Sequence, residues 1–220
     1  MTIALGTRRQ TWAILAADRR VSGRQPNGTW FSGMHVKVVC HRELPIAFAT
    51  SGIGSLNNTT TSSHIRDFGA TLQAADLAEK DPLIIKLWNH LSPLVEDERS
   101  FPCFPGDEAK RVLAITLAWV YNGTAEFGRL LLTPEGDNYE SADISIGAPD
   151  EVIQYWHASI GQDDDIIGED IQDPIGLGTH LRHVIDDGAE AEREILHNRC
   201  LTTGGPVDVA VVDAYGARRL

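Results

Sequence analysis

Strand-like and helix-like segments come in blocks along this chain of 220 residues: strands, two helices, strands, two helices and a closing strand. Strict alternation would wind helices about a parallel sheet, whereas blocks of strands joined by short turns build antiparallel sheets covered by helices. The order therefore predicts an α+β layered domain spanning 1–220. The first block reads Thr2 to Thr7, Thr11 to Ala17, His35 to Cys40 and Pro45 to Thr50, with turn composition from Ser22 to Gly33. Apolar residues at helical spacing predict a helix over Thr60 to Lys80 and a second from Pro82, ended by Phe101-Pro102-Cys103-Phe104-Pro105-Gly106. Asn122-Gly123 between two apolar runs, Val112 to Tyr121 and Phe127 to Leu132, is a strong hairpin signal; a helix over Ala109 to Val120 is the alternative. Beyond it the pattern predicts a short strand at Ile144 to Ile146 and a helix opening at Pro149-Asp150-Glu151. A solvated acidic loop over Gln162 to Asp173, a helix over Gly178 to His197 and a last strand over Val207 to Val212 complete the chain.

Charge and cysteine use narrow the function. Thirty-one acidic residues against 19 basic leave a formal net charge of −12, which repels phosphate backbones and anionic bilayers, so neither nucleic acid nor membrane is an expected partner. No apolar run reaches the roughly 18–20 residues of a membrane span, and the N-terminal residues do not resemble a secretory signal, so the expected location is the cytoplasm. Cys40, Cys103 and Cys200 are odd in number and far apart, which makes reduced thiols the expectation. His35, Cys40 and His41 make a poor metal set because Cys40 and His41 alternate across a strand, and His180 with His183 lacks a third ligand. Gly176-Leu177-Gly178 has no phosphate-loop lysine. No metal and no cofactor is expected.

One constellation carries chemistry. Thr2 follows the initiator methionine and becomes the terminal residue once Met1 is removed. A terminal threonine combines a hydroxyl nucleophile with its own base, an α-amine whose reference pKa of roughly 7.7–8 leaves a useful neutral fraction near pH 7. Such a site needs a nearby cation to keep the amine neutral, a carboxylate to hold that cation, and a backbone N–H aimed at the developing oxyanion. Lys37, Asp18 at the end of the run Ile14-Leu15-Ala16-Ala17, and Gly52 in a glycine-rich turn supply these.

These segments resemble a known family. Thr2-Ile3-Ala4-Leu5-Gly6 followed by Ile14-Leu15-Ala16-Ala17-Asp18-Arg19-Arg20 is similar to the opening of proteasome β-type peptidases, with the spacing from nucleophile to aspartate kept without a gap. Met34-His35-Val36-Lys37-Val38 resembles the family's active-site lysine segment, reached after a slightly longer loop. Ala49-Thr50-Ser51-Gly52 resembles its oxyanion turn, and Arg199-Cys200-Leu201-Thr202-Thr203-Gly204-Gly205-Pro206-Val207 its Arg-Asp-x-x-Ser-Gly-Gly-x-Val.

The resemblance implies a four-layer αββα sandwich of the N-terminal nucleophile hydrolase type and a threonine peptidase acting inside stacked rings of identical subunits. Its substrates would be peptides or unfolded protein, delivered by a separate ATPase unfoldase. Thr2, Asp18 and Lys37 would be catalytic; Gly52 would bind the oxyanion, Arg20 would brace Asp18, and Thr203 would hydrogen-bond the amine in place of the family's serine. Two positions depart from the pattern. Cys200 stands where the family has aspartate, and Ile144-Ser145-Ile146-Gly147-Ala148 lacks its Gly-Ser-Gly. These departures favour, as alternatives, a catalytically weak or inactive ring scaffold on the same fold; a further alternative is an amidohydrolase of the same chemistry acting on small amides.

Overall fold

The computed structural model describes residues 4–24, 30–97, 113–135, 138–143, 153–155, 171–195 and 204–220. All pairings between the described strands are antiparallel. Strands β1 (Ala4–Arg8) and β2 (Ala13–Asp18) open the chain, followed by the hairpin of β3 (Arg20–Arg24) and β4 (Trp30–Met34). Next come β5 (Val38–Cys40), β6 (Ile46–Gly52) and the small pair β7 (Ser55–Leu56) and β8 (Thr59–Thr60). Helices α1 (Thr61–Gly69) and α2 (Lys80–Asp97) precede β9 (Leu113–Tyr121), β10 (Thr124–Glu135), β11 (Asn138–Asp143) and β12 (Ile153–Tyr155). Helix α3 (Pro174–Ile195), β13 (Val207–Asp213) and β14 (Gly216–Arg219) close the chain. Two five-stranded sheets result, in the orders β12-β1-β2-β13-β14 and β11-β10-β9-β6-β5.

Alternation along the strands assigns each face. In β9, Leu113, Ile115, Leu117 and Trp119 pack with Ile65, Phe68, Leu83, Leu87 and Leu91 of α1 and α2, while Ala118 and Val120 face the other sheet. In β2, Ile14 and Ala16 meet Leu177, Leu181 and Ile185 of α3, and Ala13, Leu15 and Ala17 face inward. Alanine dominates the layer between the sheets, which brings the two backbones close together. Gly6 belongs to this layer: a Cβ there would lie 2.8 Å from Leu15 Cδ2 and 3.3 Å from Phe127 Cζ. Gly6→Ala is expected to cost about 1–3 kcal/mol through overpacking, read as a lower midpoint in denaturant at unchanged m-value.

Several expectations hold at the level of single elements. Asn122 and Gly123 turn the β9–β10 hairpin at φ +50° and +78°, values that suit the right-handed twist of the ribbon, and the helical alternative for Ala109 to Val120 gives way to strand over its described residues. Helix α3 starts earlier than Gly178 because Asp173 caps it, accepting from the N–H groups of Ile175 at 3.1 Å and Gly176 at 2.6 Å.

Other elements differ from the sequence pattern. Thr60 to Lys80 is not one helix: α1 ends at Gly69, and a 3-10 turn at Ala74–Leu77 returns Leu77 to the core, so Leu72 and Leu77 keep their apolar role without a continuous helix. The stretch read as turn from Ser22 to Gly33 contributes to both strands of the β3–β4 ribbon, in which Gly23 pairs with Phe31 and Gly33 with Val21, so the glycines are held in extended pairing. Ile153–Tyr155, expected inside the helix opening at Pro149, is instead an edge strand paired with Ala4, Leu5 and Gly6. Ile144 to Ile146 lies outside the described residues. Among the described residues no helix is long and apolar enough to cross a membrane.

Candidate active site

The end of β2 delivers a carboxylate into the interior. Asp18 is fully buried and Lys37, just before β5, is 4% exposed. The Lys37 ammonium donates to both Asp18 oxygens, each at 3.3 Å, and to the Arg20 carbonyl. Main-chain N–H groups of Arg20 and Gly204 each donate to Asp18 Oδ2 at 3.1 Å. A buried charge is tolerated only when paired and hydrogen-bonded, and this carboxylate has both kinds of partner. Burial pulls the Lys37 ammonium below the usual lysine range, against the opposing pull of Asp18.

The main chain explains why the pair forms here. Val207 of β13 stands opposite Asp18, and past that point the Arg19 N–H donates to the Pro206 carbonyl at 3.0 Å and the Arg20 N–H to that of Gly204 at 3.1 Å. The Arg19 carbonyl in turn accepts from the His35 N–H at 2.8 Å, tying the segment that carries Lys37 to the segment that carries Asp18. Arg19 also reaches Asp208, buried on β13, through its guanidinium. Gly204, at φ +110°, adopts a conformation that a side chain would strain, and this turn aims its N–H at Asp18.

Lys37 lines a cleft with Val21, His35, Ser51, Gly52 and Ser62 among its other walls. Gly52 ends β6 at φ +86°, and the cleft floor is held where the Thr61 hydroxyl and N–H donate to the carbonyls of Ile53 at 2.6 Å and Gly54 at 3.0 Å. The start of α1 thus closes the same hollow that Lys37 opens onto.

Of the residues expected at the site, Asp18, Lys37 and Arg20 come together, and Gly52 stands on the wall of the cleft beside Lys37. Arg20 contributes through its main chain, as donor to Asp18 and acceptor from Lys37; its Nε is buried without a hydrogen-bond partner. Thr2, Thr203, Ser145 and Cys200 lie outside the described residues, although Ala4 pairs with Ala17 next to Asp18, and Gly204 follows Thr203. Sequence reasoning missed Gly204, whose peptide N–H has no residue-type signature, and missed His35 as a wall of the cleft. His41, weighed as a metal ligand, spends both ring nitrogens on the backbone. Its Nδ1 accepts from the N–H groups of Glu43 and Leu44, and its Nε2 bonds the Gly69 carbonyl at 3.0 Å.

Chemically, the arrangement presents a buried cation on a fixed carboxylate, opening onto a cleft whose wall carries a glycine turn. It can hold positive charge against a neighbouring amine and polarise a carbonyl. Compared with protein-family models and with curated proteins, the chain matches none.

Proposed function

We propose that this chain is a threonine-type N-terminal nucleophile peptidase on a four-layer αββα sandwich, hydrolysing peptide bonds in the cytoplasm inside a ring of identical subunits. The observation that carries the reading is the buried Lys37–Asp18 pair, locked by the main chain of Arg20 and Gly204 beside the Gly52 cleft. In this reading, removal of Met1 frees the Thr2 amine, which takes the proton from Oγ as Oγ attacks the carbonyl. Lys37 keeps that amine in its neutral form, and the Gly52 N–H steadies the oxyanion. The amine then returns the proton to the departing peptide amine, leaving an ester that water cleaves. Stacked rings would shield other proteins from the site, and a separate ATPase would supply unfolded chains.

A scaffold on the same fold is the second reading, favoured by Cys200 in place of an aspartate. Exposure of the purified chain to an electrophilic threonine-protease probe separates the two. The peptidase reading expects loss of Met1 and one adduct on Thr2 by intact mass and fragment sequencing. A chain that keeps Met1, or takes no adduct, overturns it in favour of the scaffold.

A further inference from the structure

The cleft beside Lys37 has a chemical character that the catalytic reading does not use. The chain carries a net charge of −12, yet among the described residues none that lines this cleft is acidic. Among the described residues its titratable walls are Lys37 and His35, joined by the hydroxyl residues Thr50, Ser51 and Ser62. Asp18 sits behind Lys37, fully buried, and does not line the cleft. Val21 narrows the opening: its Cγ1 lies 2.9 Å from where a Cβ on Gly54 would be.

His35 is held in place by its N–H bond to the Arg19 carbonyl at 2.8 Å, and its Nδ1 is buried without a hydrogen-bond partner. With Nδ1 buried, Nε2 is the ring nitrogen left to serve a molecule in the cleft that His35 lines. A neutral imidazole can carry its proton on that nitrogen and an imidazolium always does, so the edge can act as a donor in either charge state. A narrow hollow whose described walls carry donors and no carboxylate suits a short side chain that accepts hydrogen bonds and carries negative charge.

The cleft lies between the cation that serves the nucleophile and the glycine that serves the oxyanion. A carbonyl bound for attack places there the side chain of the residue that precedes the scissile bond. Resting on the peptidase reading, we infer that this cleft selects an acidic side chain at that position and that His35 is the residue that determines the preference. Lysine and arginine are disfavoured because they bring a second cation to Lys37 and meet no acid among the described walls.

The test uses the full chain and three tripeptide vinyl sulfones that differ only in the residue next to the warhead: Glu, Leu or Lys. Thr2 Oγ adds to the vinyl carbon β to the sulfone, the one bonded to the probe residue's Cα, forming a C–O bond as the π bond breaks, and the hydroxyl proton passes through the α-amine to the carbon beside the sulfone. The rate of adduct formation is read by intact mass. The expected order is Glu fastest, then Leu, then Lys. His35→Ala should slow the Glu probe about tenfold more than the Leu probe, the loss of roughly one charge-assisted hydrogen bond. His35→Gln, which keeps a donor, should restore part of the difference. Wild-type labelling fastest with Leu or Lys overturns the inference and leaves the peptidase reading standing, as does equal slowing of all three probes by His35→Ala. Absence of any Thr2 adduct overturns both.

Discussion

Thr2→Ala is expected to abolish peptide hydrolysis, and Thr2→Ser to retain a measurable part of it. The alanine variant keeps the α-amine and the rest of the proposed site but removes the atom that attacks. Removing a nucleophile that works as a unit with its base costs on the order of 10⁶ in kcat. Serine keeps an Oγ on the residue that carries the base and loses only the methyl that restrains the hydroxyl's rotamer, so turnover should fall far less. Release of a fluorescent amine from a short peptide, followed on the purified assembly, distinguishes the three chains. Equal turnover by wild type and Thr2→Ala would remove Thr2 from the mechanism and with it the reason to read Lys37 and Asp18 as catalytic.

The sheets were legible wherever period and turn chemistry agreed. Asn122-Gly123 needed a left-handed turn between two apolar runs, and in the strand before it Ala118 and Val120 fall on one face and Leu113, Ile115, Leu117 and Trp119 on the other. Where the two signals disagreed, tertiary packing prevailed. Leu72 and Leu77 repeat at helical spacing, but the backbone turns after Gly69 and reaches the same core by a 3-10 turn. The carboxylates at Asp150-Glu151 suggested a helix start, yet Ile153–Tyr155 pairs along the edge of β1, whose bonding groups offer a partner that no local propensity records. At the site, the chemistry of a terminal threonine asked for a cation and a carboxylate, and the order of the segments and their resemblance to a known family singled out Lys37 and Asp18. The partners that make the burial of that pair tolerable are peptide groups of Arg20 and Gly204, and any residue has those, so only the fold identifies them.

Breaking that pair tests both its structural and its chemical role. Asp18→Ala leaves the Lys37 ammonium buried without its carboxylate, and orphaning one member of a buried pair costs about 3–5 kcal/mol. That is a large share of the roughly 5–15 kcal/mol that holds a domain folded, so this variant should denature at markedly lower urea concentration. Asp18→Asn is the gentler probe. Its amide oxygen can still accept from the N–H groups of Arg20 and Gly204, while its NH₂ then faces Lys37, donor against donor. Hydrolysis is expected to fall on the order of 10⁴-fold, as when an orienting carboxylate is amidated in a catalytic triad. Its pH dependence carries the finer prediction. In the wild type the rate should rise as the Thr2 amine loses its proton and fall again as Lys37 loses its own, at a pH below the usual lysine value because burial favours the neutral form. Without the Asp18 charge the ammonium loses the interaction that opposed burial, so the falling limb of the residual activity should move to lower pH. Stability should follow the same group with a definite sign. Between the native Lys37 value and 10.5, the unfolded chain holds the proton that the folded chain has released, so stability rises with pH through that window, and in Asp18→Asn the window opens at lower pH. A falling limb at the same pH in both proteins would show that Lys37 does not set it, and that the lysine holds the fold without governing the nucleophile.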